Sequence, residues 1–331
     1  MPALPLSLLD LLPVATGATP ASVIRGAAGL ARHVEQLGFS RYWVAEHHNM
    51  PSIASSAPEV LIAHVAANTS RIRVGAGGIM LPNHTPLRIV EIFRTLAALH
   101  PGRIDLGLGR APGTDPVTSS ALRRGAADDP NERLAEMLAF DRGTFPPTHP
   151  FAAISAQPSD TRLPDLWMLG STLTGASIAA QLGLRYAFAG HFAMRHARAA
   201  MRHYRERFTP SADLAAPRAM LAITVVCGTD DAHAHRLAAP IRLAIARSRT
   251  GQRLPIASVE EALAHPFTPE ENAVADDFLH GAIVGGPDRV RDAMAQVAEE
   301  TGADELMLSG LMPDMDERMR ALERVALAAG L

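Results

Sequence analysis

The stretch from Arg71 to Gly113 reads RIRVGAGGIMLPNHTPLRIVEIFRTLAALHPGRIDLGLGRAPG, and its pattern predicts one β-α-β unit. The apolar run 72–75 predicts a strand that ends in glycines, and 86–99 predicts a helix. A second strand is predicted over 104–108, and it ends at Gly109-Arg110. Parallel strands joined by a helix are the building block of α/β folds.

The residues at these two strand ends indicate a ligand site. Glycines at positions 77 and 78 lack a Cβ, so a flat ligand can approach the backbone closely there. Arg110 carries a planar, permanently charged guanidinium that suits phosphate. We therefore expect the two strand ends to form the floor of a site for a phosphate-bearing cofactor.

The same alternation of strands and helices continues along the whole chain. It predicts an α/β fold, a (β/α)8 TIM barrel, as a single domain over 1–331 with insertions at about 142–164 and 250–280. The first insertion is interpreted as a lid or a surface wrap, and both are expected to set the substrate. A doubly wound sheet is the alternative, but no glycine-rich turn follows the first strand. The eight predicted strands lie near residues 5, 42, 73, 105, 167, 187, 223 and 306.

Composition excludes several classes of protein. All 31 basic residues are arginine, so a Schiff-base lysine and a Walker A loop are both absent. A net charge of −3 gives no reason to expect nucleic acid or an anionic membrane as partner.

The cellular location is predicted from the start of the chain, the lengths of its apolar runs and its cysteine content. The apolar start of the chain lacks a basic region and is interrupted by Asp10, so no signal peptide is expected. No run is long enough to span a membrane. The single cysteine, Cys227, allows no intrachain disulfide, and a cytoplasmic protein is expected.

In a barrel of this kind, the residues that follow each strand form the active-site face. Small and polar residues follow the predicted strands, whereas bulky apolar residues fill them. The segments concerned are Glu46-His47-His48-Asn49, Gly77-Gly78, Gly109-Arg110, Gly170-Ser171-Thr172, Gly190-His191 and Ser309-Gly310.

Two of these segments allow more than one interpretation. Ser171 and Thr172 precede a predicted helix, so they either form an anion site or cap that helix. Glu46, His47 and His48 suggest a metal, but consecutive strand residues point to opposite faces, so no metal site is predicted. Instead, one histidine is interpreted as structural and the other as an acid or base.

Taken together, these motifs resemble one family. The sequence is similar to the bacterial-luciferase-like flavin-dependent monooxygenases, in particular the single-chain, group 1 type. The similarity extends over nearly the whole chain, in the same order. It is carried by VAEHH at 44–48, VGAGGIMLP at 74–82, HTP at 84–86, RIDLGLGR at 103–110, GS at 170–171 and VGGP at 284–287.

The resemblance implies FMN bound at the C-terminal ends of the strands. Gly77-Gly78 corresponds to a non-proline cis peptide beneath the flavin ring, and His47 to the catalytic base. Gly170 replaces a glutamate, so only its backbone is left to contact FMN. The resemblance assigns Gly77, Gly78, Arg110, Gly170, Ser171 and Thr174 to cofactor binding, and we expect His48, Asn49 and His191 to contact substrate.

The resemblance also implies an activity and partners. Reduced FMN from a separate, transiently bound flavin reductase would react with O2 to give a C4a-peroxyflavin, which oxidises a small organic substrate. A homodimer is implied through the helices around 58–68 and 86–99. Gly109 stands in place of a reactive cysteine, which argues against light emission.

Two alternatives remain open. One is an F420-dependent oxidoreductase of the same superfamily, which needs further arginines, such as Arg123 and Arg124, at the active-site face. The other is a non-enzymatic flavin-binding protein.

Overall fold

The computed structural model describes residues 4–122 and 129–331, and its centre is a closed ring of parallel strands. The ring order is β1-β2-β3-β4-β5-β6-β7-β9, and β9 pairs again with β1. This closure of eight strands with alternating helices confirms the predicted (β/α)8 TIM barrel. The strands are β1 Leu6–Asp10, β2 Arg41–Val44, β3 Arg73–Met80, β4 Ile104–Gly109, β5 Asp165–Gly170, β6 Arg185–Ala189, β7 Ala219–Cys227, β8 Ile283–Gly285 and β9 Glu305–Ser309.

The helices begin where sequence rules place them. Thr19 caps the first helix through its side chain, and Pro20 follows at the first helical position. No helix in the described residues is both long and apolar enough to cross a membrane. The helices are α1 Pro20–Gln36, α2 Pro58–Ala67, α3 Pro86–Leu99, α4 Pro116–Leu122, α5 Pro130–Arg142, α6 Leu173–Gln181, α7 Gly190–Ala193, α8 Ala197–Arg207, α9 Asp231–Arg249, α10 Val259–Ala264, α11 Pro269–Phe278, α12 Pro287–Thr301 and α13 Met315–Ala329.

Three elements differ from the sequence predictions. Strand β3 does not end at the glycines but continues through them to Met80, with a register shift against β4 between Ala76 and Ile79. The short strand β8 was not predicted, because three residues are too few to show a period. The pattern over 115–141 predicts a single helix, but Asp129 is extended and caps a separate helix, α5, that begins at Pro130.

The glycines of β3 and β4 are required by packing between protein atoms. A Cβ on Gly107 would lie 2.1 Å from the carbonyl oxygen of Ala76. A Cβ on Gly77 would lie 2.9 Å from Leu9 Cδ1 and from Trp43 Cε3. Packing between protein atoms therefore accounts for these glycines, and the argument from the sequence, in which the absent side chains make room for a ligand, gives the wrong reason. The backbone at Gly77-Gly78 can still face a ligand.

The interior of the barrel is filled with side chains. Trp43 and Trp167 meet edge to face with ring centroids 5.6 Å apart, and apolar residues from β1, β6, β7 and β9 surround them. The barrel is therefore a packed core rather than a channel.

Below the tryptophans, the N-terminal end of the barrel holds four charged residues, Arg41, Arg73, Asp105 and Glu305, which we call the basal ion cluster. Arg41 Nη1 lies 2.7 Å from Asp105 Oδ2, and Arg41 Nε lies 2.9 Å from Glu305 Oε1. Arg73 also donates to Asp105, as does Trp43 Nε1 at 3.0 Å. The two carboxylates are almost completely buried.

The two insertions lie at opposite ends of the barrel. Segment 142–164 joins the end of α5 to the start of β5, and Arg94 on α3 donates to the carbonyl of Ala156 within it. It therefore wraps the side of the barrel near its N-terminal end, so its interpretation as a lid that sets the substrate is wrong. Segment 250–280, by contrast, reaches the C-terminal end, where Thr16 N–H donates to the carbonyl of Ile256.

Candidate active site

The C-terminal end of the barrel, called the mouth below, is organised around Glu46. Each oxygen of this fully buried carboxylate accepts two hydrogen bonds. Oε1 accepts from His48 Nε2 and Asn83 Nδ2, both at 2.9 Å. Oε2 accepts from the amide of Met80 at 2.7 Å and from His84 Nε2 at 3.0 Å.

The hydrogen bonds to Glu46 set its charge. Burial raises the pKa of a carboxyl group, but the hydrogen bond and charge of His84, with those from Asn83 and the Met80 amide, outweigh burial and lower the pKa of Glu46. In return, Glu46 raises the pKa of His84 against the opposing effect of burial. The carboxylate is therefore ionised at neutral pH.

His47 follows Glu46 and lies inside the mouth. Its Nδ1 is 3.2 Å from the carbonyl oxygen of Gly113, so in the neutral ring Nδ1 carries the proton and Nε2 is an acceptor. Burial, with a smaller contribution from His48, lowers the pKa of His47, and the Gly113 and Glu46 contacts only partly oppose this. A neutral imidazole with a free Nε2 is suited to accept a proton.

His191 lies in the mouth near His47, although the two residues are far apart in sequence. Burial, with a contribution from His47, lowers the pKa of His191 to about 4. Its Nδ1 is buried and has no hydrogen-bond partner among the described residues. The mouth thus holds two imidazoles that are neutral at pH 7, and one has a polar atom without a protein partner.

Arg110, immediately after β4, lies within electrostatic range of Tyr186, which contacts the start of α6. Its charge acts on the hydroxyl of Tyr186, whose pKa burial raises strongly. That hydroxyl in turn lies 3.4 Å from the carbonyl oxygen of Thr172, at the start of α6. The Nε of Arg110 is buried and finds no partner in the part of the chain that the structure describes.

The first turn of α6 is not capped by the side chain of its N-cap residue. Thr172 occupies the N-cap position, but its side chain makes no capping hydrogen bond. Of the two sequence interpretations of this segment, simple capping by Thr172 is therefore not what is observed. Ser171 precedes the cap and Thr174 lies in the first turn, so both hydroxyls are beside the uncapped amides. A guanidinium and uncapped amides together fit a phosphate group.

The remaining cofactor candidates lie beside these groups. The peptide bond between Gly77 and Gly78 is cis, as the resemblance implied. A Cβ on Gly170 would lie 3.2 Å from the hydroxyl of Tyr186, so this position lies directly against the Tyr186 side chain below Arg110. Gly78 is also close to Gly109, since a Cβ there would lie 3.1 Å from the Gly109 nitrogen.

Of the three predicted substrate residues, only His191 lies with His47. Asn49 is exposed and donates to Asp115 and Thr118, which links the loops after β2 and β4. His48 donates to Glu46 and, with Asn49, lines a separate cavity of about 340 Å³.

A second cavity lies beside the 250–280 insertion, between β7, β8, α9, α10 and α12. Its volume is about 500 Å³, and its lining includes Thr224, Val226, Ala239, Phe267, Leu279 and Ile283. None of the predicted site residues lines it. Within the residues described, no group of three or more histidine, cysteine or acidic side chains is placed to hold a metal. Arg123 and Arg124 lie outside the described residues.

Sequence reasoning missed three residues of this site, Asn83, His84 and Tyr186. His84 was noted only as part of the HTP motif, and the other two were not singled out. Their roles depend on contacts between different strands, which spacing along the chain does not reveal. Glu46 was noticed, but as a rejected metal ligand rather than as the acceptor that joins the strand ends.

Comparison with known proteins gives a consistent family. A family model described as luciferase-like monooxygenase matches residues 6–305. A protein of Escherichia coli strain K12 named luciferase-like monooxygenase is 39% identical over 320 residues, covering 96% of this chain and 94% of that protein.

Two further similarities are more specific. The crystal structure of apo-MsnO8 is 38% identical and superimposes with a TM-score of 0.90, covering 99% of both chains. The N-acetyl-S-alkylcysteine monooxygenase of Bacillus subtilis strain 168 is 41% identical over 187 residues, which is 56% of each protein.

Proposed function

Because this chain belongs to the luciferase-like monooxygenase family, and is accordingly an oxidoreductase, we propose that it binds FMN at the mouth and uses it to oxidise a small organic molecule with O2. The observation that carries the proposal is the position of Arg110. Its buried Nε has no partner among the described residues. Its charge acts on Tyr186, whose hydroxyl contacts Thr172, the N-cap of α6 that makes no side-chain capping hydrogen bond. Such a combination suits the phosphate of FMN.

Each part of the mouth then has a task. Arg110, Ser171 and Thr174 hold the phosphate, and the backbone at Gly77-Gly78 supports the ring. Reduced FMN, when bound, supplies the electrons and the activation of O2. His47 accepts or returns a proton at Nε2, since Nδ1 is occupied by the Gly113 carbonyl.

The partners follow from this chemistry. A separate reductase delivers reduced FMN, and the chain forms a homodimer through α2 and α3. Alkyl thioethers are the first substrates to test, because the N-acetyl-S-alkylcysteine monooxygenase matches more than half of the chain.

The experiment compares FMN with riboflavin, which lacks the phosphate. In the wild type FMN binds more tightly than riboflavin, and Arg110→Ala lowers FMN affinity at least about tenfold while riboflavin affinity changes little. Arg291→Ala, on the exposed face of α12, is the matched control, and it leaves both affinities unchanged. Equal loss of affinity for both flavins in Arg110→Ala would overturn the phosphate assignment.

The same titration separates the alternatives. Binding of F420 but not FMN by the wild type favours the F420-dependent oxidoreductase. Tight FMN binding without coupled oxidation of aldehydes, sulfonates or thioethers, in the presence of a reductase and O2, favours a flavin-binding protein.

A further inference from the structure

The ends of β2 and β3 stay together although their backbone pairing has stopped. The last residue pair between the two strands is Val44 with Ala76. Strand β3 continues for four more residues to Met80, whose amide donates to Glu46 Oε2 rather than to a backbone carbonyl of β2. A side-chain carboxylate therefore replaces the missing backbone pairing at the mouth.

We propose that Glu46 is the positioning residue of the mouth, which fixes His47, the Gly77-Gly78 peptide and the loop that carries Arg110 relative to one another. What it positions rests on the proposed function, whereas the contacts themselves do not. It has no direct role in the chemistry, because all four of its hydrogen bonds go to protein groups.

The four donors explain why this residue is a carboxylate. Met80 N–H, Asn83 Nδ2, His48 Nε2 and His84 Nε2 all donate, and the two oxygens of Glu46 each accept two of them. Glutamine at this position keeps the volume but replaces one acceptor with an NH2 group, which faces two donors. In a fully buried position such a mismatch is costly.

The contacts extend from Glu46 to the loop after β4. Asn83 donates both to Glu46 and to the carbonyl of Pro112, at 3.0 Å. The next carbonyl, of Gly113, accepts from His47. A Cβ on Gly113 would lie 2.9 Å from the backbone oxygen of Glu46, so the two loops are in direct contact.

The charges around the carboxylate make its state measurable. Glu46 faces His48 and His84, and His84 additionally faces Glu59 on α2 and Arg133 on α5. The hydrogen bond and charge of Glu46 are the main groups that raise the pKa of His84. Removal of the Glu46 charge is therefore expected to lower that pKa.

Glu35 provides a matched control at the opposite end of the same strand. Its Oε1 accepts from the amides of Ser70 and Ile72, both at 2.9 Å, and also from Arg71, so it holds the start of β3. Glu35→Gln thus removes a carboxylate that holds β3 to another element, far from the mouth.

The test compares Glu46→Gln with Glu35→Gln by FMN titration, the spectrum of bound FMN and NMR titration of the histidines. Glu46→Gln is expected to lower FMN affinity about tenfold, since hydrogen bonds to a charged group are lost. It also shifts the flavin spectrum and lowers the pKa of His84. Glu35→Gln lowers the melting temperature but leaves these three measurements as in the wild type.

A second variant, Asn83→Ala, provides the test if Glu46→Gln does not fold. Asn83→Ala removes the link from Glu46 to Pro112 and one of the four hydrogen bonds to the carboxylate, but it keeps the Glu46 charge. It is expected to lower FMN affinity about threefold, while Glu46 still raises the pKa of His84. The proposal is overturned when the position-46 variant matches Glu35→Gln in FMN affinity and spectrum, or, where that variant does not fold, when Asn83→Ala binds FMN like the wild type.

Failure of the proposed function gives a different result. In that case the wild type itself binds no FMN. The inference is then decided by the His84 titration and by hydrogen exchange of the Met80 amide, which Glu46→Gln is expected to accelerate and Glu35→Gln to leave unchanged. An unaltered His84 pKa and Met80 exchange rate would overturn it.

Discussion

At the N-terminal end of the barrel, Arg41 lies between Asp105 and Glu305 and hydrogen-bonds to both, whereas at the mouth Arg110 has a buried Nε without a partner among the described residues. Both ends hold buried or partly buried charge, and both lie on the strand ends of the same ring. The basal ion cluster is complete within the protein. At the mouth, by contrast, Arg110 Nε and His191 Nδ1 have no partner among the described residues.

This difference teaches which observation indicates a ligand site. Charge and burial are shared by both ends, so neither separates them. Glycine content does not separate them either, because neighbouring protein atoms occupy the space beside Gly77 and Gly107. Arg110 differs from Arg41 in two respects taken together: its buried Nε has no partner among the described residues, and it acts on Tyr186, near a helix start whose N-cap side chain makes no capping hydrogen bond.

The largest expected effect is the loss of stability when the basal ion cluster is disrupted. Asp105→Asn removes the charge that Arg41 and Arg73 share, and leaves these cations partly uncompensated. The free energy of unfolding is expected to fall by about 3–5 kcal/mol, measured by urea denaturation. Asp165→Asn at the same end is the control, and because Asp165 is one-third exposed the loss is expected to stay below about 1 kcal/mol. Equal losses in both variants would contradict the distinction.

A smaller effect sharpens the comparison at the glycines. Gly77→Ala places a methyl group against Leu9 and Trp43, so it is expected to destabilise the flavin-free protein by about 1–3 kcal/mol. Gly29→Ala is the control, since a Cβ there has no atom within 4 Å. It lies inside α1 and is expected to stabilise by up to about 1 kcal/mol. A Gly77→Ala protein as stable as the wild type would show that packing does not require glycine at this position, and would favour ligand approach as the explanation.

The smallest effect is a pH dependence at the mouth. His191 titrates at its ordinary pKa near 6.5 when unfolded, but at about 4 when folded. Between pH 4 and pH 6.5, His191 binds a proton in the unfolded chain but not in the folded protein. The contribution of neutral His191 to the free energy of unfolding is therefore complete above pH 6.5 and is lost as the pH falls towards 4. The loss is at most about 1.4 kcal/mol per pH unit.

The measurement is urea denaturation at pH 7 and pH 5 for the wild type and His191→Gln. The difference between the two proteins isolates the contribution of His191 from those of other titrating groups. The wild type is expected to lose more stability than the variant on acidification. An identical loss in both would show that His191 is protonated in the folded protein at pH 5.

The sequence was sufficient for the ring because each strand is a local pattern. Buried runs such as 185–189 and 219–227 have the exact bounds expected from their apolar residues, and proline or threonine marks the starts of helices. The family motifs added the cis peptide at Gly77-Gly78. Strand β8 was not predicted because it is defined by its pairing with the end of β7, and its own three residues show no pattern.

The sequence was insufficient wherever a role depends on contacts across the ring. Arg41 and Glu305 are the first residues of β2 and β9, and Asp105 is the second residue of β4, but only ring closure brings the three charges together. Glu46 has four donors that come from two loops. The position of 142–164 follows from the direction in which α5 runs, and its composition alone left a lid and a wrap equally open.

The two ends of the segment between β7 and β8 meet beside the ring. The chain leaves β7 at Gly228 and returns at β8, where the amide of Gly228 donates to the carbonyl of Gly285 at 3.1 Å. Within this segment, Leu237 and Ile241 of α9 join the same core cluster as Val226, and Ile256 exchanges backbone hydrogen bonds with Val14 and Thr16. The segment that carries the second insertion is therefore anchored to the ring at both of its ends and at its middle.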